Sequence, residues 1–144
     1  MSTENVRFVA ALVLGIHGLG HGGALGALIW LHFRPTDATG GWVAAKSWLL
    51  PSLPATAATS VASAFWIVAM LGFVTATLSF LDVLIPGAAW RGLAVASSIV
   101  SLVGISLFFG TWPPFNTAAA IAVNVAVLVT QLWLRWPPQE LFGR

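Results

Sequence analysis

The feature that most limits how this chain can fold is the apolar run from about Val6 to Phe33, flanked by Arg7 and by Arg34-Pro35. Wound as an α-helix at about 1.5 Å per residue, it is longer than a hydrocarbon core of roughly 30 Å. Three more runs follow at Val61–Leu84, Gly92–Trp112 and Thr117–Trp136, separated by proline, glycine and charge. Inside a bilayer each backbone N–H and C=O must find its partner within the protein, and a helix does this within one segment. The expected fold is therefore all-α. It is a polytopic membrane protein, a single domain of four transmembrane helices in an antiparallel bundle, with spans at about 7–33, 61–84, 92–112 and 117–136 and an outer loop at 34–60.

Composition points the same way. Of 144 residues, 58% are hydrophobic and 7% charged, where a soluble domain carries about 25% charged residues. Cysteine is absent, which removes disulfides, thiolate metal centres and cysteine nucleophiles. The six basic residues are dispersed beside the apolar runs. They read as topology charges and not as a phosphate-binding stripe, so nucleic acid is not an expected partner and the lipid bilayer is. Arg7, Arg91, Arg135 and Arg144 fall on one side of the four spans and Arg34 and Lys46 on the other. That excess places both termini in the cytoplasm of a multi-pass protein of the cell membrane.

The first run could also be read as a cleaved signal peptide, with Arg7 as its basic region and Phe8–Ile16 as its apolar region. Its continuation through Leu28-Ile29-Trp30-Leu31 favours a full span. In the outer loop, Trp42–Leu50 is too short to cross a membrane and suits either a short interfacial helix or an ordered loop over the bundle mouth. The short connection Ile85–Arg91 makes the second and third spans antiparallel neighbours. Trp-Pro-Pro occurs twice, at 112–114 and 136–138, where Trp suits the interface and proline ends a helix.

The candidate site lies in the first span, in Gly15-Ile16-His17-Gly18-Leu19-Gly20-His21-Gly22-Gly23-Ala24-Leu25-Gly26. On a helical wheel at about 100° per residue, His17, His21 and His32 share one stripe. Gly18, Gly22 and Gly26 form the stripe beside it, a doubled small-xxx-small pattern that lets another helix backbone approach closely. That helix belongs either to the same chain or to a second copy in a homodimer or larger membrane complex.

Ten residues separate Arg7 from His17, roughly 15 Å along the axis, so His17 and His21 fall near mid-bilayer. Counting in from the other ends gives Met70, Ser101 and Asn124 the same depth, so these groups are candidates for one central polar site. Gln131, Thr75, Thr77 and Asp82 would continue a polar track toward the cytoplasmic side. Ionisable groups at this depth face the protein interior and mark a ligand, proton or ion path, or else a satisfied hydrogen-bond network.

Two histidines four residues apart can chelate Zn²⁺, Cu²⁺ or Ni²⁺ from one face, yet a zinc centre needs four ligands. Water, Asn124 or a second subunit would have to complete it. A haem or other tetrapyrrole takes axial ligands from opposite faces, so it would need a second histidine-bearing helix, which a dimer would supply. No nucleophile elbow, phosphate-binding glycine loop, HExxH or CxxC pattern occurs in the sequence.

The histidine- and glycine-rich first span, the Trp-bearing first loop and the fourth-span pattern Phe115-Asn116…Val123-Asn124 resemble small four-span bacterial membrane proteins, broadly the DoxX-like group. The resemblance runs over nearly the whole chain and implies four helices and a membrane location. It brings no settled activity and no functional residue. The expected function is a non-enzymatic integral membrane subunit or small-ligand binder, with His17, His21, Ser101, Asn124 and Gln131 around an intramembrane polar site. One alternative is a small dimeric transporter or channel that passes a proton, metal ion or small solute along His32, His21, His17 and Gln131. Another is a membrane redox subunit that binds a metal or a pigment.

Overall fold

The computed structural model describes residues 3–33 and 45–138, and among them the chain is helical with no strand. Helix α1 is Thr3–Phe33, α2 is Ala55–Phe80, α3 is Trp90–Leu107 and α4 is Pro114–Leu128, continued by a π turn at Val129–Trp133. A 3₁₀ turn at Gly87–Ala89 leads into α3. Counting these turns with α3 and α4, all four helices are long and apolar enough to cross a membrane.

Local chemistry sets the helix ends. α2 begins at Ala55, just after Pro54, six residues before the apolar run. The intervening Thr56, Thr59 and Ser60 are too polar to register as a span, but they are compatible with a first helical turn. The helix stops at Phe80 because Asp82 and Leu84 turn into the left-handed region, with φ of 61° and 66°. Two bonds tie that turn: Gly87 N donates to Asp82 Oδ1 (3.1 Å) and Ser79 Oγ to the Pro86 carbonyl (2.6 Å). α4 opens on Pro114, where a missing N–H costs nothing.

Part of the Trp42–Leu50 stretch lies outside the described residues. Residues 45–50 are not helical. They are held as an ordered loop: Ala45 and Ser47 are buried, Leu50 N donates to Ser47 Oγ, and Trp48 Nε1 donates to the Ser106 carbonyl at the end of α3.

Each helix packs antiparallel on the next. Along α1 the register against α2 runs Gly15 on Thr77, Gly18 on Phe73 and Val74, and Gly22 on Met70. Gly72 of α2 lies against Ser97 of α3, and Gly104 of α3 against Phe65 and Trp66. Between α3 and α4 the pairs are Ser101 with Asn124 and Arg91 with Gln131.

The helices are apolar on the outside as well as on the inside. α2 buries Ala58, Ala62, Ala69, Ala76 and Ser79 together with Trp66, Phe73 and Phe80, while it exposes Val61, Ile67, Val68 and Leu71. Small residues and aromatic rings fill the inner face, and the exposed aliphatic side chains give the helix an apolar outer surface.

The interior divides in two. One apolar cluster holds Ala24 and Leu28 of α1, Ala58, Ala62 and Trp66 of α2, and Ile105 and Phe108 with Trp112 and Ala120. The other holds Ala11, Leu14, Phe73, Ala76, Phe80, Trp90, Ala94 and Val127. Between them, in sequence and in space, lie His17 and His21 of α1, Ser97, Ser98 and Ser101 of α3, and Asn124 of α4.

Candidate functional site: a histidine pair beside a lateral cleft

Four residues apart on α1, His17 and His21 project from one face, and their rings meet edge to face with centroids 5.0 Å apart. Neither is left to itself. His17 Nε2 lies 3.1 Å from Asn124 Oδ1, Asn124 Nδ2 donates to Ser101 Oγ at 2.7 Å, and Ser101 Oγ lies 3.1 Å from His21 Nε2. Three helices are thus joined by one chain of hydrogen bonds.

Donor arithmetic gives the chain a direction. Ser101 has one hydroxyl proton. Its oxygen accepts from Asn124, and the only other partner of the hydroxyl among the described residues is His21 Nε2, the one group placed to accept its proton. His21 then carries its own proton on Nδ1. At the other end, Asn124 Oδ1 takes the proton of His17 Nε2–H. His21 Nδ1 is buried and has no hydrogen-bond partner among the described residues.

Aromatic rings from α2 and from the connection between α3 and α4 surround this pair. The faces of the His21 ring lie parallel to Trp66 (centroids 6.0 Å, 18° between planes) and to Phe73 (6.1 Å, 6°). Trp112 approaches it at 5.4 Å, and Phe73 meets His17 edge-on at 4.7 Å. His21 is 1% exposed, whereas His17 is half-buried.

A cleft of about 400 Å³ opens between α1 and α4. His17, His21, Gly20 and Trp112 line it together with Leu12, Val13, Ile16, Phe115, Asn116, Ala119, Ala120 and Val123. Its walls are almost wholly apolar and, among the described residues, carry no charged side chain. Leu12, Val13, Ile16 and Phe115 are exposed along its edge, so the cleft gives onto the side of the helix pair and not onto a helix end.

The other candidate residues are placed elsewhere. Gln131 sits in the π turn, about two helical turns from Asn124, and its amide is engaged with the C-terminal segment. It accepts from Arg91 Nε at 3.1 Å and donates to the Trp136 carbonyl at 2.9 Å. Arg91 also donates from Nη2 to the Pro137 carbonyl at 2.9 Å. Thr77 returns its hydroxyl to the Phe73 carbonyl of its own helix, and Asp82 serves the α2–α3 turn. Of the glycine stripe, Gly18 and Gly22 lie against α2, while a Cβ at Gly26 would meet nothing within 4 Å. The side chain of His32 lies outside the described residues.

For metal binding, both Nε2 atoms are occupied by Asn124 and Ser101, and no group of three or more metal-binding side chains occurs among the described residues. Sequence reasoning did not pick out Trp66, Phe73 and Trp112 as the walls of the site. A signal was present for one of them. Trp66 is eleven residues into α2, far from the helix ends where tryptophan collects in membrane proteins, and a tryptophan at mid-helix needs another reason to be there.

No protein family, curated protein or solved structure matches this chain.

Proposed function

We propose that this chain is a polytopic membrane protein, a four-helix antiparallel bundle with both termini cytoplasmic, that binds a small ligand in the cleft between α1 and α4 and does not transform it. One observation carries the reading: a tethered histidine pair lines a largely apolar cleft about halfway along the helices. His21 is twelve residues from the end of α1 and His17 fourteen from its start, about 18 and 21 Å. Concave apolar sites with a few convergent polar groups are the usual form of small-molecule sites, and a histidine at this depth is costly unless it serves one or is fully paired.

Arg91 and Arg135 lie together at one end of the helices, where an Arg91 Nη2 bond to the Arg135 carbonyl joins them. Antiparallel packing brings the start of α1, with Arg7, to the same end. This supports a cytoplasmic face there. The outward-facing Val, Ile, Leu and Phe side chains support lipid contact along the flanks.

The transporter reading has less behind it. A path through Gln131 would require an amide that is already committed to Arg91 and Trp136. The metal and pigment readings rest on His17 and His21 alone.

The test is extraction with organic solvent and mass spectrometry of protein purified in mild detergent. Gly20 lines the cleft, and a Cβ there would meet nothing within 4 Å, so Gly20→Leu fills the cleft from a position with room for it. A small molecule that co-purifies with the wild type and is lost from Gly20→Leu supports the reading. Identical extracts from the two proteins overturn it.

A further inference from the structure

We propose that the cleft takes a neutral lipophile without a phosphate headgroup, whose carbonyl oxygen accepts a hydrogen bond from His21 Nδ1. This rests on the reading of the cleft as a ligand site and names the chemistry of what it holds.

The donor is identified by elimination around one ring. Trp66 and Phe73 lie parallel to the His21 ring, and the ring makes its hydrogen bonds at its edge, through two nitrogens. Of its two edge nitrogens, Nε2 is taken by Ser101. Nδ1 is left, buried and without a partner, and the direction of the hydrogen-bond chain puts a proton on it. A buried N–H without an acceptor is destabilising. His21 lines the cleft, so a cleft ligand that carries an acceptor relieves it once the ring shifts to bring the closed-off Nδ1 to the cleft wall.

Charge and depth narrow the acceptor. Among the described residues no charged side chain lines the cleft, and a charged ligand brought into apolar walls would have nothing to pair with. A carbonyl is a neutral acceptor with no proton of its own to satisfy. The ester carbonyl of a phospholipid is fixed near the headgroup, whereas His21 lies about 18 Å from the end of α1. A lipophile free of a headgroup reaches that depth. At about 400 Å³ the cleft is near the low end of the range of roughly 300–1,000 Å³ for ligand pockets. The exposed edge formed by Leu12, Val13, Ile16 and Phe115 admits such a molecule sideways from the acyl chains.

The experiment uses the full chain in phosphatidylcholine nanodiscs with 4-butylbenzophenone, a neutral lipophilic ketone that crosslinks to nearby C–H bonds under near-ultraviolet light. Adducts mapped by mass spectrometry are expected on Leu12, Ile16, Ala119 and Val123. Competition is then measured with 7-tridecanone and with tridecane at matched mole fractions in the bilayer. The ketone should displace the probe at a concentration about tenfold lower than the hydrocarbon, the preference that one hydrogen bond provides. His21→Leu should abolish that preference while cleft labelling persists. Ser101→Ala frees Nε2 to carry the proton and should reduce the preference at least about threefold.

Equal competition by ketone and hydrocarbon in the wild type overturns this inference but leaves the cleft as a site. Adducts spread evenly over outward-facing Ile67, Leu71 and Val103 overturn the cleft reading itself. The wild-type comparison decides the matter even if a variant does not fold.

Discussion

On the flank of α1 that meets α2, glycine brings two backbones together; on the flank that looks toward α4, glycine leaves a space. A Cβ on Gly18 would sit 3.0 Å from Phe73 Cβ and 3.3 Å from the Val74 backbone nitrogen, while one on Gly20, two residues further on, would meet nothing within 4 Å. The residue type is the same and the helix is the same. What differs is the partner: α2 offers a close-packed face of small residues around Phe73, and α4 stands off with the cleft between. Helix association without a hydrophobic drive depends on close contact. The α1–α2 seam therefore holds these two helices together, and the α1–α4 flank is left open.

The most direct way to break this comparison is to make one substitution on both flanks. Gly18→Leu places a side chain where a Cβ and a backbone atom already stand, and neither can swing away. It should lower stability in mixed-micelle denaturant titration by about 1–3 kcal/mol, as over-packing does elsewhere. A Gly18→Leu protein as stable as the wild type would remove the seam from the account.

Asn124→Leu should come next. It cuts the link between His17 and Ser101 and leaves the buried ring and hydroxyl short of partners, for a loss of about 1–2 kcal/mol in the same titration. An unchanged midpoint would mean that the hydrogen-bond chain contributes nothing to holding α4 in place.

Gly22→Ala sharpens the seam from within. The neighbour there is Met70 Sδ at 3.0 Å, the mobile end of a flexible side chain, so the loss should stay below about 1 kcal/mol. A loss equal to that of Gly18→Ala would show that the seam does not distinguish rigid neighbours from yielding ones.

Gly20→Leu should have the smallest effect on stability, between none and a gain of about 1 kcal/mol from better helix propensity, while ligand retention falls. Marked destabilisation would mean that the cleft is not open at Gly20.

Much of the helical outline was legible in the sequence. Proline, glycine and charge interrupt the apolar runs at Arg34-Pro35, Pro86-Gly87 and Pro113-Pro114, and a helix cannot run through such breaks unmarked. Helix ends were less so. The first turn of α2 is built of Ala, Thr and Ser, which a hydropathy reading assigns to the loop. The depth shared by His17, His21, Ser101 and Asn124 also followed from counting residues, because the rise per residue is constant. Depth does not say which way a side chain turns about the helix axis relative to its neighbours. Seven residues from Asn124, Gln131 would share its face on an ideal α-helix, but it lies in a π turn and is bonded to Arg91 and to the Trp136 carbonyl instead.

Within the first span, the sequence alone determined a helix long enough for a bilayer, two histidines on one face and glycine on the flanks. These follow from residue spacing along a rod of fixed pitch. Only the tertiary structure decided which glycines are pressed against a neighbour, which His nitrogen is left without a partner, and that a cleft opens beside it. Those depend on how far apart two rods stand and how each is rotated. That balance is set by contacts between residues far apart in sequence, His17 with Asn124 and Gly18 with Phe73, and spacing within one segment carries no record of them.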